Sequence, residues 1–242
     1  MHDSALNSFI NFKENYLEST LEEIKIIEIG SLSVNANIKK LLNNNFNYIG
    51  VDIVPGENVD IVLEDAYKLP FNNESIDVII SISTFEHTDF FWLTYLEILR
   101  VLKPDGLFFL NAPSNSKFHR HSSDNWRFYP DSSIALEKWG KKNNYNPKVL
   151  EHYTNFENGR DIWNDYTSIT IKDEKYKDRY TKRIIDIKKN FTNGRIDKSD
   201  KIINFQEFPQ DQSNWGWKIY YKWRKFLHKI KKFKIYLTSR KF

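Results

Sequence analysis

Apolar and polar positions change period several times along the chain. Residues 4–23 place Leu6, Phe9, Ile10, Phe12, Tyr16, Leu17 and Leu21 close to helical spacing, which predicts an amphipathic helix. From Lys25 the period shortens. KIIEI (25–29) is a short β-branched run, followed by GSLSVNAN and a helical pattern through Ile38, Leu41 and Leu42. NYIGVDI (47–53), VDIVLED (59–65) and IDVIISIS (76–83) read as three further strands. A helix carrying Phe91, Leu93, Leu96, Ile98, Leu99 and Val101 follows, stopped by Lys103-Pro104-Asp105-Gly106. LFFLNA (107–112) is a fifth strand, Ser132–Asn143 a helix, and 148–153 and 165–173 two strands that close the sheet as a hairpin. Strands alternating with helices predict a parallel sheet covered on both faces. Residues 173–215 show no usable period, and 217–237 predict a cationic amphipathic helix.

Charge divides the chain. Ten of its 36 basic residues lie within 216–242, which holds no acid, so residues 1–215 carry 26 basic against 32 acidic groups, a formal −6. The overall +4 therefore belongs to the tail. An acidic body would repel phosphates around a cleft, so no nucleic-acid partner is expected. Three readings of the tail stay open: a helix packed on the body, contact with an anionic membrane surface, or contact with a second copy or a glycosyltransferase. No apolar run nears the roughly 18 residues of a membrane span. There is no secretion-signal pattern and no cysteine, which predicts a cytoplasmic protein, with the inner membrane face as an alternative.

In an open α/β sheet, ligands bind beyond the carboxyl ends of the strands. Four segments fall there. Glu28-Ile29-Gly30-Ser31 ends the first strand, and its glycine permits a tight turn. Asp52 ends the second, 22 residues after Gly30, the spacing at which an acid reaches a ribose. Glu64-Asp65-Ala66 could face an adenine edge, and Ser83-Thr84-Phe85-Glu86-His87 ends the fourth strand. A single glycine is poor for a pyrophosphate, so this order favours S-adenosylmethionine over NAD. FHRHSSDNWRFYPD (118–131) follows strand five and so lies over the same edge.

IIEIGSLSVNANI, YIGVDIVPGENVDIVLEDAYKLPFNNESIDVIISISTFEH and LEILRVLKPDGLFFLNAPS resemble the successive motifs of class I S-adenosylmethionine-dependent methyltransferases, in order over residues 25–114. The EIGSxxVNxN form is similar to a branch often encoded among bacterial surface-polysaccharide genes. That branch also carries an HxxxxDxWRF-type segment, matched here by His119, Asp124, Trp126, Arg127 and Phe128. Ser31 and Ser33 stand where glycines are usual in the superfamily. The resemblance implies a Rossmann-like fold with a mostly parallel seven-stranded sheet. It implies three domains: an N-terminal helical segment (1–24), a cofactor-binding core (25–172) with a substrate loop at 113–131, and a C-terminal extension (173–242).

By the same resemblance Glu28, Gly30 and Ser31 surround the methionyl part of the cofactor. Asp52 and Ile53 hold the ribose, and Asp65 and Ala66 face the adenine. Ser83, Glu86 and His87 lie by the methyl-transfer site, and S-adenosylhomocysteine is the product. For the acceptor, Trp126, Phe128 and Tyr129 are expected to form a pocket wall with His121 beside them, and Arg120 or Arg127 to bind a phosphate or carboxylate. An ordinary core role for Trp126 and Phe128, and an Arg127 pair with Asp124 or Asp131, are the alternatives. His119 is the first candidate base and His87 the second, with Asp124 orienting a histidine or the acceptor hydroxyl. No metal is expected, because His119 and His121 stand alone at alternate positions and a sulfonium already leaves well. The implied function is O-methylation of a sugar, nucleotide-sugar or phosphorylated precursor in bacterial capsule or lipopolysaccharide biosynthesis. Methylation of a nitrogen, phosphate or phosphoramidate group is one alternative. An inert scaffold working through its tail is another.

Overall fold

The computed structural model describes residues 3–18, 23–32, 37–115, 118–155, 164–207, 219, 222–228 and 230. Two compact units divide the chain, Met1–Gln206 and Glu207–Phe242.

The first unit is built on one mixed sheet. Its strands are β1 (Ile24–Ile29), β2 (Phe46–Asp52), β3 (Ile61–Val62), β4 (Ile76–Ile82), β5 (Leu102–Pro113), β6 (Lys148–Asn155), β7 (Asp165–Ile171), β8 (Phe191–Ile196) and β9 (Ser199–Ile203). They are ordered β3-β2-β1-β4-β5-β7-β6-β8-β9. β1 to β5 pair in parallel, while the pairs from β5–β7 through β8–β9 are antiparallel. The expected seven-stranded, mostly parallel sheet is thus corrected to nine strands with an extended antiparallel end. The additional hairpin, β8–β9, comes from the stretch without a legible period. FTNGRI and SDKII are short and polar, with β9 largely exposed, so no alternation announces them.

Strand parity builds the two cores. On β5, Leu107 and Phe109 point to one face while Phe108 and Leu110 point to the other, as successive side chains on a strand must. Phe9 and Phe12 of α1 (Asp3–Phe12) cover the first face, their rings 6.2 and 4.8 Å from that of Phe109. α2 (Phe91–Val101) and α3 (Ser132–Lys142) belong to the second, which buries Tyr95, Ile98, Leu99 and Leu136. β4 is apolar on both faces, the signature of a strand covered on both sides.

Four boundaries differ from the sequence pattern. The predicted 4–23 helix is α1 followed by a π-helical turn at Lys13–Leu17. The pattern through Ile38, Leu41 and Leu42 yields only a 3-10 turn, Ile38–Leu41, and 33–36 lie outside the described residues. β3 keeps two residues of a predicted seven. Lys103–Gly106 lies inside β5 at a register shift rather than ending the helix in a free turn.

In the second unit, residues 222–228 are helical and Lys225 Nζ donates to Glu207 at 2.5 Å. Most of the rest of the predicted 217–237 helix lies outside the described residues. No helix of the described residues is long and apolar enough to cross a membrane.

Candidate active site

A cleft of about 760 Å³ opens at the carboxyl ends of β1, β2 and β4, where a doubly wound sheet places its ligand. Gly30 makes the turn out of β1 at φ 77°, and a Cβ there would run into the Thr84 side chain. The position therefore demands glycine both for its left-handed backbone and for close approach. Thr84 Oγ1 donates to the Ile29 carbonyl at 3.2 Å, and the Gly30 and Ser31 N–H groups donate to the Val51 carbonyl at 2.9 and 3.2 Å. The loop is thus tied to both neighbouring strands. Asp52 grips it from the other side, accepting from Leu32 N–H through Oδ2 and from Val54 N–H through Oδ1, both at 3.1 Å.

Glu28, Gly30, Ser31, Asp52, Ile53, Ala66 and Ser83 all line this cleft. Asp65 does not. Its Oδ1 accepts from Tyr67 N–H at 2.8 Å and closes its own turn, so Ala66 and Tyr67 present that segment to the cleft instead. Glu28 is buried under hydrogen bonds from the Tyr48 hydroxyl and Asn58 Nδ2. Burial lifts its pKa from 4.5 to about 7, against those two bonds, which pull it down. Tyr48 and Asn58 were missed by motif reading. Strand parity holds the signal for Tyr48, because Glu28 pairs in register with Gly50 and residue 48 shares that face.

The same cleft gathers Glu86, His87 and His119. Glu86 is 1% exposed, and its Oε2 has no hydrogen-bond partner among the described residues. Burial pushes its pKa up to about 8. His87 Nε2 lies 3.8 Å from Glu86 Oε1, while Nδ1 makes a short hydrogen bond with the Ser123 carbonyl. A carbonyl only accepts, so Nδ1 carries a proton. The His119 ring stands edge-on to that of His87, centroids 5.1 Å apart. His119 Nδ1 is 3.3 Å from Asp124 Oδ2, and its backbone N–H donates to the same carboxylate at 2.7 Å. Arg127 completes the chain, donating from both terminal nitrogens to Asp124 at 2.5 and 2.9 Å. The bonds from Arg127 hold the Asp124 carboxyl low, at about 2.

The segment 118–131 is stitched along the end of β4. Asn125 and Trp126 N–H groups donate to the Glu86 carbonyl at 2.7 and 3.2 Å, and Ser123 Oγ donates to the His87 carbonyl at 2.7 Å. It meets the cleft through His119, His121, Ser122 and Ser123. The expected aromatic wall is corrected. Phe128 is 2% exposed and packs in the core against Phe85 and Phe91. Trp126 donates its indole N–H to the Thr88 carbonyl at 2.9 Å and packs edge-on to Phe91 and Trp92, while Tyr129 is exposed outside the cleft lining. Arg127 is committed to Asp124, the alternative already open for it. Arg120 is exposed and donates to the Ser122 carbonyl at 3.3 Å. The aromatics brace the histidine-bearing stretch from behind.

S-adenosylmethionine fits these residues. The glycine turn, the Asp52 carboxylate and the buried Ser31 Oγ, which has no partner among the described residues, converge on one cleft. Residues 27–110 match the family model described as a methyltransferase domain. No curated protein matches the chain. Among solved structures, the YcgJ protein of Bacillus subtilis is 16% identical with TM-score 0.51, over 72% of this chain and 100% of that one. The 1,6-didemethyltoxoflavin-N1-methyltransferase of Burkholderia thailandensis, solved with bound 1,6-didemethyltoxoflavin and S-adenosylhomocysteine, is 14% identical with TM-score 0.49, over 71% and 78%. The [4+2]-cyclase SpnF is 13% identical with TM-score 0.48, and this chain spans 60% of its length while 62% of this chain is covered. The YcgJ likeness carries the fold. Residues 27–110, which supply much of the cleft lining, carry the match to a methyltransferase domain.

Proposed function

We propose that the protein methylates a hydroxyl group of a sugar, nucleotide-sugar or related phosphorylated precursor used in bacterial capsule or lipopolysaccharide assembly. The observation that carries oxygen as the acceptor atom is the His119–Asp124 pair on the cleft, because a hydroxyl must lose a proton as it becomes an ether. Bound in the cleft, S-adenosylmethionine supplies an electrophilic methyl group on a sulfonium that leaves as a neutral thioether. Asp52 and the Gly30 turn would hold it, and Ser31 Oγ, without a partner among the described residues, would gain one.

His119 is the proton acceptor on this reading. Asp124, fixed by Arg127, lies 3.3 Å from its Nδ1 and accepts from its backbone N–H, placing a carboxylate beside the imidazole that takes the hydroxyl proton. His87 stands at its edge as the second imidazole. The phosphate and phosphoramidate alternative is less well supported, since Arg127 already serves Asp124. The glycan context rests on the likeness of the 119–128 segment to its branch.

The test is a methyl-transfer assay over a panel of nucleotide-sugars. His119→Ala should lower turnover by about 10²–10⁴-fold, the usual share of a general base, with little change in cofactor affinity by calorimetry. Near-normal turnover in that variant would remove His119 as the base.

A further inference from the structure

We propose that Glu86, His87 and His119 form a binding site for one divalent transition-metal ion on the wall of the cleft. Each residue offers a ligand atom, and the three atoms lie within 4.8 Å of one another. Bonds of about 2.0–2.2 Å to nitrogen and carboxylate oxygen set ligand atoms roughly 3–4 Å apart. The 3.8 Å between Glu86 Oε1 and His87 Nε2 already satisfies that. Small side-chain rotations would bring in the third donor.

The surroundings of the three groups argue more strongly than their proximity. Metal-binding histidines hand their other ring nitrogen to a carbonyl or a carboxylate, which fixes the tautomer and aims the donor. His87 does this here, its Nδ1 held by the Ser123 carbonyl. His119 is set beside Asp124, itself locked by Arg127, through its backbone N–H and with Nδ1 3.3 Å from the carboxylate. Glu86 adds the third observation, a carboxyl 1% exposed with one oxygen lacking any hydrogen bond among the described residues. Such a group is costly to bury unless something compensates it, and a cation would.

Two imidazoles and one carboxylate suit zinc, iron(II), cobalt or nickel better than magnesium or calcium, which prefer all-oxygen shells. Three protein ligands leave open positions toward the cleft. There, if the acceptor is a hydroxyl as proposed above, the ion would take its oxygen and make the O–H more acidic. In that state His119 is a ligand and the proton passes to water; without the ion His119 receives it. The binding site itself does not depend on the identity of the acceptor.

Full-length protein stripped with a chelator should bind one Co²⁺ or Zn²⁺ per chain, and Co²⁺ should show the visible absorption of a low-coordinate, histidine-bound ion. Asp124→Asn should weaken binding by about tenfold or more through the lost outer support, and His87→Ala and Glu86→Gln by more than that. Glu86→Gln is nearly isosteric, so it carries the test should His87→Ala misfold. His228→Ala, outside the site, should bind as wild type. No specific binding, or binding untouched by Glu86→Gln and Asp124→Asn, would overturn the site. S-adenosylmethionine titrated in parallel keeps the two readings apart. Cofactor binding without metal binding sinks only the ion site, and metal binding without cofactor binding sinks only the methyltransferase reading.

Discussion

Two glutamates, one on β6 and one in the segment after β4, are buried, and burial pushes both carboxyl pKa values upward. Their surroundings are opposite. Glu151 on β6 accepts from the Tyr16 hydroxyl at 2.6 Å and from the Ile184 and Ile185 N–H groups at 2.8 and 3.0 Å. It ties the π-helical turn after α1 and a 3-10 turn to the antiparallel end of the sheet. Its neighbour Arg183 is paired with Asp197 at 2.8 Å. Glu86 keeps an oxygen without a partner among the described residues, on the wall of a cleft. Satisfied, a buried carboxyl fixes elements to one another; unsatisfied, it is retained at a cost to stability in a place where a ligand can reach it. The pKa direction does not separate the two roles. The hydrogen-bond inventory does.

The largest effect expected is on the satisfied member. Glu151→Ala leaves two backbone donors and a hydroxyl buried without an acceptor, so urea unfolding should report a loss of about 3–5 kcal/mol. A loss below about 1 kcal/mol, the scale of surface residues, would dissolve the contrast.

Next comes Glu28, buried like the other two but half-satisfied by Tyr48 and Asn58. Its folded pKa is raised, from 4.5 to about 7. Its contribution to stability is therefore fully present below pH 4.5 and is lost as pH rises through about 7. A shift of that size corresponds to about 3 kcal/mol. Glu28→Gln should flatten the stability profile between those two pH values; an unchanged slope would mean that other groups set it.

Asp52→Ala should raise the dissociation constant for S-adenosylmethionine by about tenfold or more, roughly 1.4 kcal/mol or beyond, read by calorimetry. An unaltered constant would show that the bonds from Leu32 and Val54 define the whole role of Asp52. The smallest effect is the sharpest for the comparison. Glu86→Gln should leave unfolding free energy within about 1 kcal/mol of wild type or raise it, since no network is broken. A loss as large as that of Glu151→Ala would make Glu86 a structural residue.

Much of this molecule was readable along the chain. β1, β2 and β4 fall within a residue of their predicted limits, and β6 and β7 form the expected hairpin. α2 buries Ile98, Leu99 and Val101 of its apolar pattern, while Leu93 is exposed and Tyr95 is buried in its place. Gly30 and Asp52 were located by strand ends alone. Motif reading was weaker in the segment 118–131. It assigned Trp126, Phe128 and Tyr129 to the acceptor because aromatic character does not say which way a side chain points. Phe128 is drawn into the core by Phe85 and Phe91, and Trp126 is held by its indole bond to Thr88 and by Phe91 and Trp92. The metal question turned on the same limit. His119 and His121 are close in sequence, whereas the donors that converge, Glu86, His87 and His119, span two segments.

The sequence by itself determined the alternation of strands and helices and the strand ends at which Glu28 and Asp52 line the cleft. These follow from local sterics and from the 2.0 and 3.6 residue periods, which need no partner elsewhere in the chain. Only the tertiary structure decided that Tyr48 covers Glu28, that Glu151 is satisfied while Glu86 is not, and that the unpatterned 191–203 stretch extends the sheet as β8 and β9. Each of those outcomes depends on strand order, register and the path of a loop. Such contacts are set by packing between distant segments, which no local pattern encodes.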